Sequence, residues 1–276
     1  MVQKTMSVCM FLVLVICCAS AEDAPKTQTR LSAVEIVDRN VAARGGLQAW
    51  RAVHTLSMRG KMDVGGNQRS IIPVPGRKGP AAQMPPQRPA EQVQLPFVME
   101  LQRPRKSRVE VQFNGQTAIQ VYDGANGWKL RPFLNRHQVE PYTPQELKAT
   151  ALQADLDGPL VDYAAKGTKV ALEGREKVGD TQAYKLNLTF KNGQTQHVWV
   201  DANTFLEVKI EGTPRRLDGK YHPVAIYYRD YKTIDGLVIP FVLETAVEGV
   251  SQLEKIQIDS VEVNPKFEDS LFAKLQ

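Results

Sequence analysis

The chain has 276 residues, with 35 lysines and arginines against 30 acidic residues and a formal net charge of +5. This basic excess is smaller than the bias typical of nucleic-acid-binding domains, so we expect no nucleic-acid partner. Hydrophobic residues make up 42% of the chain, an ordinary fraction for a globular protein.

Residues 1–21 have the features of a cleavable signal peptide. Lys4 gives a positive start, residues 6–18 are a short apolar run, and Ala19-Ser20-Ala21 has the small-x-small pattern of a cleavage site. The apolar run is shorter than the roughly 20 residues that span a bilayer, which disfavours the alternative of an uncleaved anchor. We therefore expect a periplasmic or secreted protein of 255 residues.

The three cysteines all lie within the predicted signal peptide. The mature chain is thus expected to fold without disulfides and to lack thiolate metal ligands. Lys4 is the only charged side chain in the signal, so the mature net charge is +4.

The mature chain opens with a predicted flexible leader at residues 22–30, followed by a single domain over residues 31–276. Ser32 and Glu35 form a capping-box pattern, which predicts the start of a helix. Gly45-Gly46 is predicted to end it, and residues 47–53 form a short second helical turn.

From His54 onward, apolar residues alternate with polar ones, the pattern of half-buried strands. Asn114-Gly115, Asn192-Gly193 and Asp235-Gly236 are strong hairpin turns, so consecutive strands should pair antiparallel. Between Ile258 and Val261 the alternation slips by one residue, which predicts a β-bulge. About eleven strands are predicted, around residues 56–62, 97–101, 109–113, 119–121, 128–130, 186–190, 198–200, 206–210, 224–228, 238–242 and 256–258.

A proline-rich insertion over residues 65–96 follows the first strand. It holds seven prolines, which cannot donate to a strand ladder, so we expect extended, solvated backbone there. Two interpretations remain open: a tolerated surface loop between paired strands, or a mobile flap that touches a partner or a membrane.

A helical interlude over residues 141–167 interrupts the strands. Thr143-Pro144-Gln145-Glu146 is a second capping box with proline at the first helical position, and Gly158-Pro159 ends the helical part.

The expected fold is mainly β with a few helices. Eleven strands present more apolar surface than two helices can cover, so the antiparallel sheet must curve and partly close on itself. If the helices cap the concave side, an apolar cavity results. The alternative is a β-sandwich whose two halves fill each other.

Several short motifs occur in an order that resembles a known family. Arg103-Pro104 follows a strand, and then come Asp123-Gly124, Trp128, Pro132-Phe133 and the helix opened by Thr143. This series resembles the LolA and LolB carriers of the periplasm. The segments at residues 42–47 and 269–272 resemble the broader group of outer-membrane lipoprotein-sorting proteins.

The resemblance implies a half-closed barrel of eleven strands with helices over its mouth, and a cavity that receives acyl chains. It implies a monomeric, non-catalytic carrier, or chaperone, for a lipoprotein or lipid, with membrane donor and receptor proteins as partners. We expect the cavity wall, under the Thr143 helix, to consist of Phe97, Met99, Leu101, Val109, Val111, Phe113, Val121, Trp128 and Leu130. An alternative with the same fold is a lipid-sensing periplasmic regulator.

A basic cluster of Arg103, Arg105, Lys106 and Arg108 lies at a strand junction. It is either a solvated face or a weak contact for anionic membrane lipids or an acidic cargo.

Other chemistries find little support in the sequence. The four histidines have no metal-ligand spacing, and no Gly-x-Ser-x-Gly elbow or phosphate-binding glycine loop is present. No metal and no cofactor are therefore expected, and a hydrolase of envelope substrates is the less favoured alternative.

Overall fold

One antiparallel sheet of thirteen strands accounts for most of the backbone that the structure describes. The computed structural model of the protein describes residues 31–65, 92–217 and 219–275. The strands are β1 (Thr55–Gly65), β2 (Gln92–Gln102), β3 (Lys106–Phe113), β4 (Gln116–Tyr122), β5 (Gly127–Arg131), β6 (Arg136–Pro141), β7 (Lys169–Val178), β8 (Thr181–Thr189), β9 (Thr195–Asp201), β10 (Glu207–Leu217), β11 (Lys220–Ile234), β12 (Leu237–Val247) and β13 (Glu254–Val263).

The described residues also contain three α-helices, α1 (Ala33–Ala43), α2 (Leu47–Arg51) and α3 (Pro144–Gln153). Both predicted capping boxes are confirmed. Ser32 accepts from the Glu35 amide at the start of α1, and Thr143 accepts from the Glu146 amide at the start of α3. Single 3-10 turns follow β5 at Pro132–Leu134 and follow β13 at Asp269–Phe272.

The strand order is β6-β5-β4-β3-β2-β1-β13-β12-β11-β10-β9-β8-β7. Every neighbouring pair is antiparallel, as expected for a meander, and β1 joins the two halves by pairing with β13. The predicted bulge is confirmed at this junction, where Arg59 pairs with Ser260 but Gly60 pairs with Ile258. Asp259 is the extra residue.

The predicted number of strands was too low, because the sheet has thirteen strands rather than about eleven. The sheet is not closed, since its edge strands β6 and β7 do not pair with each other. The two strands that the apolar pattern missed are these two edges. The segment that contains α3 joins them along the chain.

The proline-rich insertion begins and ends within paired strands. Gly65 pairs with Gln92 and Lys61 pairs with Pro96, so the stretch 92–96 is part of β2. Pairing of β2 with β3 begins only at Phe97, so Pro96 pairs with β1 alone, and a strand position with one neighbour is where proline is tolerated. Residues 66–91 lie outside the described residues.

Candidate binding cavity

A cavity of about 240 Å³ lies against one face of the sheet. Cross-strand partners share a face, so the register defines this wall. It consists of apolar side chains from β1, β2 and β9–β13, together with Trp50 of α2. Its apolar lining includes Met58, Met99, Ile226, Leu243, Ile256 and Ile258.

The size of the cavity is sufficient for part of an apolar ligand. A space of about 10–15 Å³ holds one water, and an engineered apolar cavity of about 150 Å³ binds benzene. The wall in this protein is mostly apolar, which favours hydrocarbon over water. The cavity could therefore shelter a segment of an acyl chain.

The end of α3 and the chain that follows it form one side of the cavity. Leu152, Asp155, Leu156 and Pro159 all line it. Leu160 and Val161, which come next, are fully buried. This stretch is therefore packed into the protein rather than lying loosely over it.

Asp157 fixes the same stretch through ionic contacts. Its side chain is 1% exposed and pairs with Arg103 at 2.8 Å and with Lys166 at 2.5 Å. Its backbone carbonyl accepts from Arg44 Nη1 at 2.8 Å. Because a buried carboxylate needs such partners, these contacts hold the cavity wall to the β2–β3 turn and to the end of α1.

One part of the cavity lining is polar. Arg44 Nη1 lies 3.2 Å from Glu207 Oε1, and both side chains are less than a tenth exposed. The Tyr231 hydroxyl donates to the Glu207 carbonyl at 2.9 Å. Burial raises the pKa of the Tyr228 and Tyr231 hydroxyls, and the nearby Glu207 carboxylate raises both further. Both tyrosines therefore remain protonated at neutral pH.

The helix α3 has no fully buried residue. Lys129 of β5 forms an ion pair with Glu146 in its first turn. Gln145 donates to the hydroxyl of Tyr221, an exposed residue of β11, at 3.2 Å. The helix therefore touches strands of both halves of the sheet through surface contacts.

Two of the nine predicted wall residues, Phe97 and Met99, line the cavity. Leu101 is buried on the same face, paired with Leu56. Val109 and Val111 pair with Met99 and Phe97 and so share that face, but they are not among the residues that line the cavity.

Phe113 follows Val111 on the same face at the end of β3, also outside the cavity lining. The other three predicted residues lie on the opposite face of the sheet. Val121 pairs with Arg108 and Trp128, while Leu130 pairs with Ile119. Contact between a bound ligand and any of the nine residues remains a prediction.

Sequence reasoning missed the contribution of β10–β13 and of Arg44 and Glu207. The apolar alternation of Ile226 and Tyr228, and of Ile256 and Ile258, was visible in the sequence. These strands contribute to the cavity because β1 pairs with β13. That pairing joins residues far apart in the chain, and no local sequence pattern indicates it.

The basic cluster of residues 103–108 is divided among different contacts. Arg103 binds Asp157, and Arg108 pairs with Glu110 at 2.6 Å. Lys106 lies over the ring of Phe272, and Arg105 pairs with Asp155 at 2.8 Å. The cluster is therefore not one continuous solvated face.

The described ranges hold no group of three histidine, cysteine or acidic side chains suited to a metal ion. None of the helices in those ranges is long and apolar enough to cross a bilayer.

No protein-family model and no curated protein matches the chain in sequence. Among solved structures, it is similar to a LolA superfamily protein from Nitrosomonas europaea, with 14% identity and a TM-score of 0.54 over 89% of this chain and 99% of the other. A putative outer membrane lipoprotein-sorting protein domain from Vibrio parahaemolyticus has 13% identity and a TM-score of 0.54 over 88% and 96%.

A DUF1329 family protein from Desulfovibrio piger is similar to the same degree, with 13% identity and a TM-score of 0.53 over 87% and 97% of the two chains. At these identities the likeness shows the fold alone. The protein thus has the fold of LolA superfamily structures, in agreement with the resemblance of its motifs.

Proposed function

We propose that the protein is a non-catalytic periplasmic carrier that shelters acyl chains of a lipid or lipoprotein in its cavity. The observation that carries this proposal is the cavity of about 240 Å³, lined mainly by apolar residues of the sheet. Each methylene that leaves water contributes about 0.8 kcal/mol, so a cavity of this kind stabilises even part of a chain.

The fold shared with the LolA superfamily structure and with the lipoprotein-sorting domain supports the same proposal. Fold alone does not specify function, and the cavity supplies the feature that a carrier needs. A lipoprotein is the cargo that the relatives suggest, and its release to a membrane receptor would complete the transfer.

The first experiment measures binding of a fluorescent fatty acid to delipidated protein. Met99→Trp places an indole in the cavity, and we expect it to lower affinity by at least about tenfold. Val98→Trp is the matched control, because Val98 precedes Met99 in β2 and its side chain lies on the opposite face of the sheet. This variant should leave the affinity for the fatty acid unchanged. Absence of binding by the wild-type protein, or equal loss in both variants, would contradict the proposal.

The periplasmic location is a separate part of the proposal and rests on residues 1–21. Intact-mass analysis of protein from the cell envelope should give a chain that begins near Glu22. A chain that retains the apolar run, or an acylated cysteine, would contradict export by a cleaved signal. Native mass spectrometry of the same sample would identify the bound cargo.

A further inference from the structure

A second open space of about 520 Å³ lies between α3 and the turn that joins β8 to β9. We call it the basic groove, because its lining includes the four cationic side chains Arg105, Lys148, Lys166 and Lys191. Asp155 is the one carboxylate in that lining.

The cations of the basic groove are not equally available. Arg105 binds Asp155 at 2.8 Å, and Lys166 is held by Asp157 at 2.5 Å and by the Gly158 carbonyl at 2.8 Å. Within the described residues, neither Lys148 nor Lys191 forms an ion pair, and both are exposed. Two ammonium groups therefore remain free to bind an anion from opposite sides of the groove.

The floor of the basic groove is apolar. Leu147, Ala151 and Leu152 of α3 line it together with Phe190. A free inorganic anion gains nothing from such a surface, whereas an amphiphile buries the start of its hydrocarbon chain there. The combination of charge and apolar surface matches an amphiphile with an anionic head.

The basic groove and the cavity lie on either side of one short stretch of chain. Leu152, Asp155 and Pro159 line both spaces. A ligand whose head group lies in the groove thus has its chain beside the boundary of the cavity. The two spaces are therefore adjacent, with this stretch of chain as their common wall.

We propose that the basic groove binds the phosphate head group of a lipid whose acyl chain enters the cavity. Lys148 and Lys191 donate charge-assisted hydrogen bonds to the phosphate oxygens. This inference rests on the proposed carrier function and adds the class of ligand, an anionic phospholipid. An apolar wall alone would give little head-group selectivity, whereas the basic groove predicts a preference for a phosphate head group.

The test compares two ligands with the same acyl chain, a monoacylglycerol phosphate and the uncharged monoacylglycerol. Each is used below its micelle concentration, at low ionic strength, as a competitor of a fluorescent fatty acid. We expect the wild-type protein to bind the phosphate form at least about tenfold more tightly, as two charge-assisted contacts allow. The double variant Lys148→Gln/Lys191→Gln should lose this preference.

The matched control is Lys61→Gln/Lys177→Gln, which removes the same charge from exposed positions outside both spaces. It should keep the preference, and cooperative thermal unfolding should verify that both double variants fold. Equal binding of the two ligands by wild type, or equal loss in both double variants, overturns the head-group site and leaves the carrier function standing.

Millimolar inorganic phosphate distinguishes the two sources of a phosphate group. Inorganic phosphate is added to the competition assay. If it abolishes the preference for the monoacylglycerol phosphate at the same concentration at which that lipid displaces the fluorescent fatty acid, the occupant is a free ion and the lipid assignment is overturned. If neither acyl ligand binds to the wild-type protein, the carrier function fails as well.

Discussion

Arg103 Nη2 lies 2.8 Å from Asp157 Oδ2 and joins the β2–β3 turn to the stretch of chain that lines the cavity after α3. Asp157 is almost fully buried, so its removal leaves Arg103 without its carboxylate and leaves Lys166 with the more distant Asp155 at 3.6 Å. We expect Asp157→Ala to lower the free energy of unfolding by about 3 kcal/mol, measured by urea denaturation. Asp38→Ala, at an exposed position of α1, should change it by less than about 0.5 kcal/mol. Equal effects would contradict the anchoring role of Asp157.

The pair of Arg51 and Asp162 predicts a pH dependence. Two hydrogen bonds of 2.7 Å from Arg51 hold the pKa of Asp162 below its ordinary value. A carboxyl whose pKa is lowered by folding stabilises the native state above its unfolded pKa of about 3.9, and this contribution is lost as the pH falls through the folded pKa. The variant Asp162→Asn removes the charge, and asparagine tolerates the positive φ of 53° at this position.

The stability difference between wild type and Asp162→Asn should therefore be constant above about pH 5 and shrink below about pH 4. Chemical denaturation over this pH range measures it. Because the pair is partly exposed, the difference should also decrease with added salt. A difference that grows on acidification would contradict the assignment.

The corner between α1 and α2 predicts a steric effect at one of two adjacent glycines. A Cβ on Gly45 would lie 2.2 Å from the Gly236 carbonyl oxygen, whereas a Cβ on Gly46 would meet nothing within 4 Å. Both have positive φ, of 107° and 92°, so alanine is strained at either position. We expect Gly46→Ala to cost about 1–2 kcal/mol and Gly45→Ala at least about 3 kcal/mol in thermal or urea unfolding. Similar costs would show that α1 does not pack on this turn.

The two faces of the sheet predict different consequences for Val121 and Met99. Val121 is fully buried but lies on the face opposite the cavity. Val121→Ala should lower the free energy of unfolding by about 2 kcal/mol and leave fatty-acid affinity unchanged. Met99→Ala should instead alter fatty-acid affinity. If Val121→Ala loses affinity for the fatty acid under conditions in which the variant is fully folded, Val121 contributes to the binding site and the assignment of faces is wrong.

The interior of the sheet was predictable from the sequence, but its edges were not. Strands β2, β11 and β13 bury one face and therefore show alternation of apolar residues. β6 and β7 pair on one side only and carry mostly polar side chains, such as Arg136 and Gln138 or Glu173 and Lys177. Polar side chains on edge strands protect a sheet from aggregation. Because these strands carry few apolar residues, they show no periodic apolar pattern in the sequence.

The candidate site was predicted only in part because alternation shows that a residue faces one side but not which side. Phe97 and Val121 both alternate with polar neighbours, yet register places them on opposite faces. The assignment depends on the length of each turn, since a shift of one residue exchanges the faces. The contacts of Arg44 with Glu207 and with Asp157 link distant segments and have no local pattern at all.

The strand order has a consequence for how the chain folds. β1–β6 and β7–β13 are each built from neighbours in sequence, so each half closes connections between consecutive strands, the longest of them in the first half being residues 66–91 between β1 and β2. The centre of the sheet, in contrast, joins Leu56 to Val263, about 200 residues later. The two halves can therefore begin to form before synthesis of the chain is complete. They form one continuous sheet only when the last strand, β13, pairs with both β1 and β12. A chain that stops before Glu254 would leave two unjoined sheets, each with a bare apolar strand where its partner should be.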